Sequence, residues 1–275
     1  EERKKEGNTI IFISHRTDEL LKVCDRVTVI RDGRSVGTHC CDKLNKETLS
    51  SLIVGEGYKS KTQEQLQGTD SKRIGEVVLS VEGLTKLPNY KNISFTLRKG
   101  EIVGLAGLRG SGRTEIFKGI AGIDPADEGS VTIGGVKTRF TNPSDALKHG
   151  IVYLPEDRER EGLISSQTVR QNLVLNALHK VSKKYIINKN SEHKFATDLV
   201  NALGVKLASV EQEVSQLSGG NKQKVVVGRI SAADPIVFLL DECTRGVDIA
   251  AKESILSIVR DRLTKSAGII MSSPG

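Results

Sequence analysis

Short apolar runs, separated by glycines and polar turns, recur along most of the chain and predict alternating strands and helices. Thr9-Ile10-Ile11-Phe12-Ile13 is apolar and β-branched, the pattern of a buried strand. Residues 18–24 follow as a helix. Residues 26–30 and 35–39 read as two strands, with Asp32-Gly33 as the hairpin turn between them. Residues 56–75 are polar and of mixed charge, the composition of a linker. Residues 76–81 alternate and open a second domain with a strand. Residues 93–97 and 101–106 bracket Arg98-Lys99-Gly100, a hairpin-like turn. A strand and turn at 128–135, a helix at 142–149 and a strand at 151–154 come next. Helical periodicity marks 169–179 and 191–203, and a further helix-like run covers 221–230. Pro235 punctuates the chain before the apolar strand 236–240. Ile269-Ile270-Met271-Ser272-Ser273 weakly repeats Ile11-Phe12-Ile13-Ser14-His15, with Ser273 in place of the histidine. The repeat implies two homologous domains, the first lacking its front and the second its tail.

Three stretches carry chemistry. Gly107-Leu108-Arg109-Gly110-Ser111-Gly112-Arg113-Thr114 follows an apolar strand and opens a helix, the context a P-loop requires. Its consecutive backbone N–H groups make a nest for phosphates, and the Thr114 hydroxyl can reach Mg²⁺. Arg113 keeps the charge of a P-loop lysine, but its planar fork is bulkier than an ammonium, which argues against fast hydrolysis at this loop. The strand 236–240 delivers Asp241 and Glu242 at its C-terminal end, where α/β nucleotide sites lie. In Leu217-Ser218-Gly219-Gly220-Asn221-Lys222-Gln223, Ser218 is placed to cap the following helix, and the glycines let backbone approach an anion. Taken alone, Ser-Gly-Gly before a helix is an ordinary loop and cap, and His15 after a strand is structural or exposed.

Composition narrows the class. A chain of 275 residues holds one large domain or two small ones, and 37% hydrophobic with 27% charged residues fits a globular protein. No apolar run approaches the ~20 residues of a membrane span, and the chain opens on charged residues rather than a signal peptide. The four cysteines form no CxxC pair, so zinc is not expected and a reducing cytoplasm is. The net charge of +7 is spread along the chain without interleaved aromatics, which disfavours nucleic acid as a partner.

The P-loop, the LSGG-plus-Gln stretch and the strand ending in Asp-Glu, in that order, resemble the nucleotide-binding domain of ABC-type ATPases. Pro155-Glu156-Asp157-Arg158, Glu161-Gly162-Leu163, the Asn221-Lys222-Gln223-Lys224 ending and Thr244-Arg245-Gly246-Val247-Asp248 look like the second ATPase domain of bacterial monosaccharide importers of the ribose, galactose and xylose type. The resemblance implies an α/β P-loop NTPase fold with a mostly parallel central sheet flanked by helices, an antiparallel β subdomain and a helical subdomain. It implies three parts: 1–55 as the C-terminal remnant of a first nucleotide-binding domain, 56–75 as linker, and 76–275 as a second such domain, truncated after the strand that leads to its switch loop.

It further implies ATP and Mg²⁺ as substrate and cofactor. Nucleotide contacts would come from Gly107, Arg109, Gly110, Ser111, Gly112, Arg113 and Thr114, and from Leu217, Ser218, Gly219, Gly220 and Gln223 of the signature. Glu156 stands where most such domains carry a Mg²⁺-sensing glutamine, and Asp248 in the loop that crosses between paired domains. Thr114, Asp241 and Glu156 would hold the metal, Glu242 would polarise the attacking water, and His15 would contact the γ-phosphate. Tyr90 has two readings, a base-stacking ring and, preferred here, a surface tyrosine. The partners implied are a transmembrane permease docking on the helices at 169–179 and 191–203, indirectly a sugar-binding protein, and a paired nucleotide-binding domain, at the cytoplasmic face of the plasma membrane. Hydrolysis by this chain alone is expected to be weak. The rival is a non-transport ABC ATPase acting on nucleic acid or ribosomes, which would be expected to show zinc-binding cysteine pairs or a concentrated basic linker.

Overall fold

The computed structural model describes residues 2–14, 17–31, 34–55, 74–108 and 110–272. His15, Asp32, Gly33, Arg109, Ser273 and nearly all of the expected linker lie outside the described residues. The chain divides into two compact units, residues 1–70 with 248–253, and residues 71–247 with 254–275.

In the first unit, helix α1 (Glu2–Lys5) is followed along the chain by α2 (Thr17–Val23), strands β1 (Arg26–Arg31) and β2 (Arg34–Cys40), and α3 (Lys46–Val54). β1 and β2 pair antiparallel, as the sequence predicts. Asn45 caps α3 by accepting the Thr48 N–H at 2.7 Å. Leu20, Val27, Val29, Cys41 and Leu49 form a small core. The buried strand expected at 9–13 does not form. Residues 8–14 are non-regular, and Ile11 and Ile13 are 91% and 92% exposed. A strand needs neighbours to take up its backbone polar groups. None of the described strands is registered against this run.

The second unit carries two four-stranded sheets. β3 (Val77–Lys86), β4 (Tyr90–Arg98), β6 (Glu128–Ile133) and β7 (Val136–Thr138) make an antiparallel sheet in the order β4-β3-β6-β7. β5 (Ile102–Leu105), β8 (Ile151–Leu154), β11 (Val237–Leu240) and β12 (Gly268–Ser272) make a wholly parallel sheet in the order β5-β12-β11-β8. β4 and β5 therefore do not form the hairpin expected around Arg98-Lys99-Gly100. That turn carries the chain from one sheet to the other, Gly100 N–H bonding Ala267 O at 3.0 Å. β11 is buried at every position, as a central parallel strand covered on both faces must be.

Helix α4 (Arg113–Ile120) follows β5 and sends Phe117 and Ile120 into a core shared with Leu79, Leu84 and Leu97 of the antiparallel sheet and Leu239 and Ile270 of the parallel one. Fully burying each such side chain contributes roughly 1.5–3 kcal/mol. α5 (Pro143–Lys148), capped by Asn142, leads to β8. The helical part then runs through α6 (Val169–Val174), α7 (Leu178–Val181), a short hairpin of β9 (Ser182–Lys183) and β10 (Ile186–Ile187), and α8 (Lys189–Leu203). Thr168 and Gln171 close a capping box on α6. α9 (Gly219–Ser231) begins at the Ser-Gly-Gly stretch, two residues earlier than expected, and α10 (Ile249–Asp261) precedes β12.

Candidate functional site

The parallel sheet aims the C-terminal ends of β5 and β11 at one place. The chain leaving β5 turns through the glycine loop into α4. Gly112 takes φ +87°, and a Cβ there would lie 2.5 Å from the Asn89 carbonyl oxygen, so only glycine fits. Around Gly110 the space is open. The loop thus presents free volume at the helix start, where backbone N–H groups and the helix dipole favour an anion.

Across from it, β11 leads directly into Asp241, 1% exposed. Thr114 Oγ1 donates to Asp241 Oδ2 at 2.7 Å, the Tyr153 hydroxyl to the same oxygen at 3.3 Å, and Ser272 Oγ to Oδ1 at 2.6 Å. Burial, then the charge of Asp241, pushes the Tyr153 phenol far above its ordinary value, so it stays neutral and donates. A hydroxyl and a carboxylate in direct contact at the loop are hard oxygen donors suited to Mg²⁺. Glu156 does not join them, because its carboxylate is ion-paired with Arg245.

Glu242 follows with φ +44°, a left-handed conformation unusual for a residue with a side chain. Its carboxylate lies between two guanidinium groups, 3.5 Å from Arg113 and 3.8 Å from Arg245. Arg113, Glu242, Arg245 and Glu156 form a row of alternating charge. Arg113 and Glu242 are mostly buried, so their attraction is screened less than that of an exposed pair.

The signature stretch is built differently from expectation. Ser218 sits at the cap position of α9, but its hydroxyl takes the Asn221 side-chain amide at 3.0 Å and makes no cap hydrogen bond. Asn221, three residues on, offers a competing N–H donor. Leu217 and Gln223 are buried, and Gln223 Oε1 accepts from Arg158 at 3.4 Å. Arg158 also donates to the carbonyls of Arg245 and Gly246 at 2.8 and 3.3 Å, and its guanidinium backs Gly219. Gly220 is buried at the helix start. Asp248 belongs to the first unit and caps α10 by accepting Ala251 N–H at 2.8 Å.

Tyr90 is neither a surface residue nor open for stacking. It is 6% exposed, and its hydroxyl has no hydrogen-bond partner among the described residues. Burial pushes its pKa up to about 12. A Cβ on Gly119 would come within 2.3 Å of that hydroxyl, so the ring is packed onto α4.

Sequence reasoning missed Tyr153, Ser272, Arg158 and Arg245 as parts of the site. Ser272 left a signal in the internal repeat, where it aligns with Ser14, and Arg158 and Arg245 stand in stretches that carry the family resemblance, though without a role assigned to them.

A family model described as "ABC transporter" matches residues 90–245. The ribose import ATP-binding protein RbsA of Bacillus cereus is 38% identical over 270 residues, covering 98% of this chain and 53% of that protein. The protein of the same name from Clostridium tetani is 41% identical over 271 residues, again 98% and 53%. The chain therefore spans about half the length of the curated relatives it matches. Among solved structures, an ATP-binding cassette of an ABC transporter in its ADP conformation superposes with TM-score 0.61 at 20% identity, covering 72% of this chain and 82% of that one. A dimeric cassette bound to ADP and Pi gives 0.60 at 21%, covering 71% and 87%.

Proposed function

The chain belongs to the ABC transporter family, and from that premise we propose that it is part of the ATP-hydrolysing subunit of a monosaccharide importer, ribose being the sugar named for its relatives. The observation that carries the reading is the 2.7 Å hydrogen bond joining Thr114 of the glycine loop to Asp241 at the end of β11. It brings the phosphate-binding loop and the acidic strand end to one point.

In this reading ATP is the substrate, its phosphates received by the loop from Gly107 through Thr114. Thr114 and Asp241 would hold Mg²⁺, whose chemistry is to neutralise charge on the phosphate oxygens. Glu242 orients the attacking water and takes its proton, once its carboxylate is turned from Arg113 and Arg245. Arg113 contributes positive charge beside the phosphates. Glu156, ion-paired to Arg245, ties the loop after β8 to the segment that follows β11. Leu217, Ser218, Gly219, Gly220 and Gln223 serve a nucleotide held by a paired domain, and Asp248 lies in the crossing between domains. His15 would contact a γ-phosphate. Residues 1–55 belong to a first nucleotide-binding domain, 56–75 link it to a second at 76–275, and a permease docks on the helical part at the cytoplasmic face of the membrane. A sugar-binding protein completes the transporter. Among the described residues no helix is long and apolar enough to cross a membrane.

Calorimetric titration of the chain with ATP and Mg²⁺ tests the reading. Binding is expected in the wild type and at least about tenfold weaker in Asp241→Asn, the size of effect of losing a metal ligand's support. Turnover by the 275-residue chain is expected below the usual range of roughly 1–100 s⁻¹. Undiminished Mg²⁺-dependent binding in Asp241→Asn would refute the assignment.

A further inference from the structure

β12 ends in Ser272, 2% exposed, beside the end of β11. The parallel register pairs Leu240 with Met271, so the next residue of each strand, Asp241 and Ser272, meet side by side. The Ser272 hydroxyl has one proton, and it goes to Asp241 Oδ1 at 2.6 Å. The Ser272 hydroxyl oxygen in turn accepts the backbone N–H of Glu242 at 2.9 Å. One hydroxyl therefore grips both acidic residues, the first by its side chain and the second by its main chain.

Each grip fixes something the neighbouring contacts leave free. Asp241 Oδ2 is already taken by Thr114 and Tyr153. The bond from Ser272 to Oδ1 sets the remaining rotation of the carboxylate plane. Glu242 holds φ +44°, which a residue with a Cβ keeps only when its surroundings enforce it. The Ser272 oxygen receives the N–H of that very residue.

We propose that Ser272 is a positioning residue for the acidic pair: it locks the Asp241 carboxylate and holds the Glu242 backbone in its left-handed turn, so that the Glu242 side chain starts from a fixed point. The proposal rests on the ATPase reading for its consequence in turnover, while the clamp itself stands on the hydrogen bonds.

The test compares the wild-type chain with Ser272→Ala, Ser272→Cys and Ser272→Thr. The cysteine variant keeps the volume with a weak donor, and so carries the test if the alanine variant does not fold. Amide exchange at Glu242, read by NMR without nucleotide, is expected to quicken about tenfold in Ser272→Ala and Ser272→Cys, the scale of losing one hydrogen bond that protects the amide. With ATP present, Mn²⁺ binding followed by electron paramagnetic resonance is expected to weaken by a similar factor. kcat should fall about 10–100-fold with KM for ATP nearly constant, and Ser272→Thr should restore each readout.

Unchanged exchange at Glu242 in the variants would overturn the clamp, as would a rise in KM with kcat intact. A wild-type chain that binds no nucleotide would overturn the ATPase reading and with it the effect on turnover. The exchange comparison, made without nucleotide, would still decide the clamp.

Discussion

Residues 10–14 and 269–272 carry almost the same word, Ile-Ile-Phe-Ile-Ser and Ile-Ile-Met-Ser. In the second, Ile269 and Ile270 are fully buried, and the strand is registered with β11 on one side and β5 on the other. In the first, Ile11 and Ile13 are almost fully exposed and the backbone is non-regular. The side chains do not explain the difference, since both runs suit a pleated surface. Fixing each residue's backbone costs about 1–2 kcal/mol. Burial and a paired ladder offset that cost at β12, whereas at 10–13 the side chains are exposed and no strand among the described residues pairs with the run. A strand is a property of the sheet that receives it.

The largest test of this comparison places a charge at matched positions. Ile269→Asp, the match of Ile11 in the repeat, buries an unpaired carboxylate between two strands and is expected to cost more than about 4 kcal/mol. Ile11→Asp is expected to stay within about 0.5 kcal/mol, as at an ordinary exposed position. Urea denaturation of both variants measures the gap, and equal losses would break the comparison. Amide exchange sharpens it without mutation. Protection across 269–271 is expected to exceed that across 10–13 by roughly a thousandfold or more, because β12 opens only with much of its unit. Similar protection in both runs would mean that 10–13 is held far more firmly than its exposure implies.

What was legible in the sequence follows the same division. Glycine spacing and the Asp-Glu pair after an apolar run are local signals, and the turn into α4 and the strand β11 formed where those signals placed them. The assignment of β4 and β5 to different sheets was not legible, because Arg98-Lys99-Gly100 reads as a turn whichever sheet receives the next strand. Tyr90 was misjudged for a similar reason. Its burial depends on Gly119, which comes close only after α4 folds back. In the site, the chemistry-bearing residues were visible by type, but their pairings were not. No local pattern says that Glu156 turns to Arg245, that Ser218 accepts from Asn221, or that Tyr153 and Ser272 converge on Asp241.

The smallest predicted effect comes from the serines that close the two runs. Ser14 Oγ donates to Glu19 Oε2 at 3.2 Å from a half-exposed position five residues away in sequence. Water can replace much of that bond, so Ser14→Ala is expected to cost no more than about 0.5 kcal/mol. Ser272 makes its two bonds in a buried place, one to a carboxylate. Its removal leaves Asp241 Oδ1 and the Glu242 N–H short of partners that water reaches poorly, and Ser272→Ala is expected to cost about 1–3 kcal/mol. Ser272→Thr keeps the hydroxyl and should recover most of this, separating the bond from the loss of volume. Thermal and urea unfolding of the three variants gives the ordering. A Ser14→Ala loss as large as that of Ser272→Ala would show that the first serine is also locked to its partner, and the contrast between the runs would then lie in their apolar residues alone.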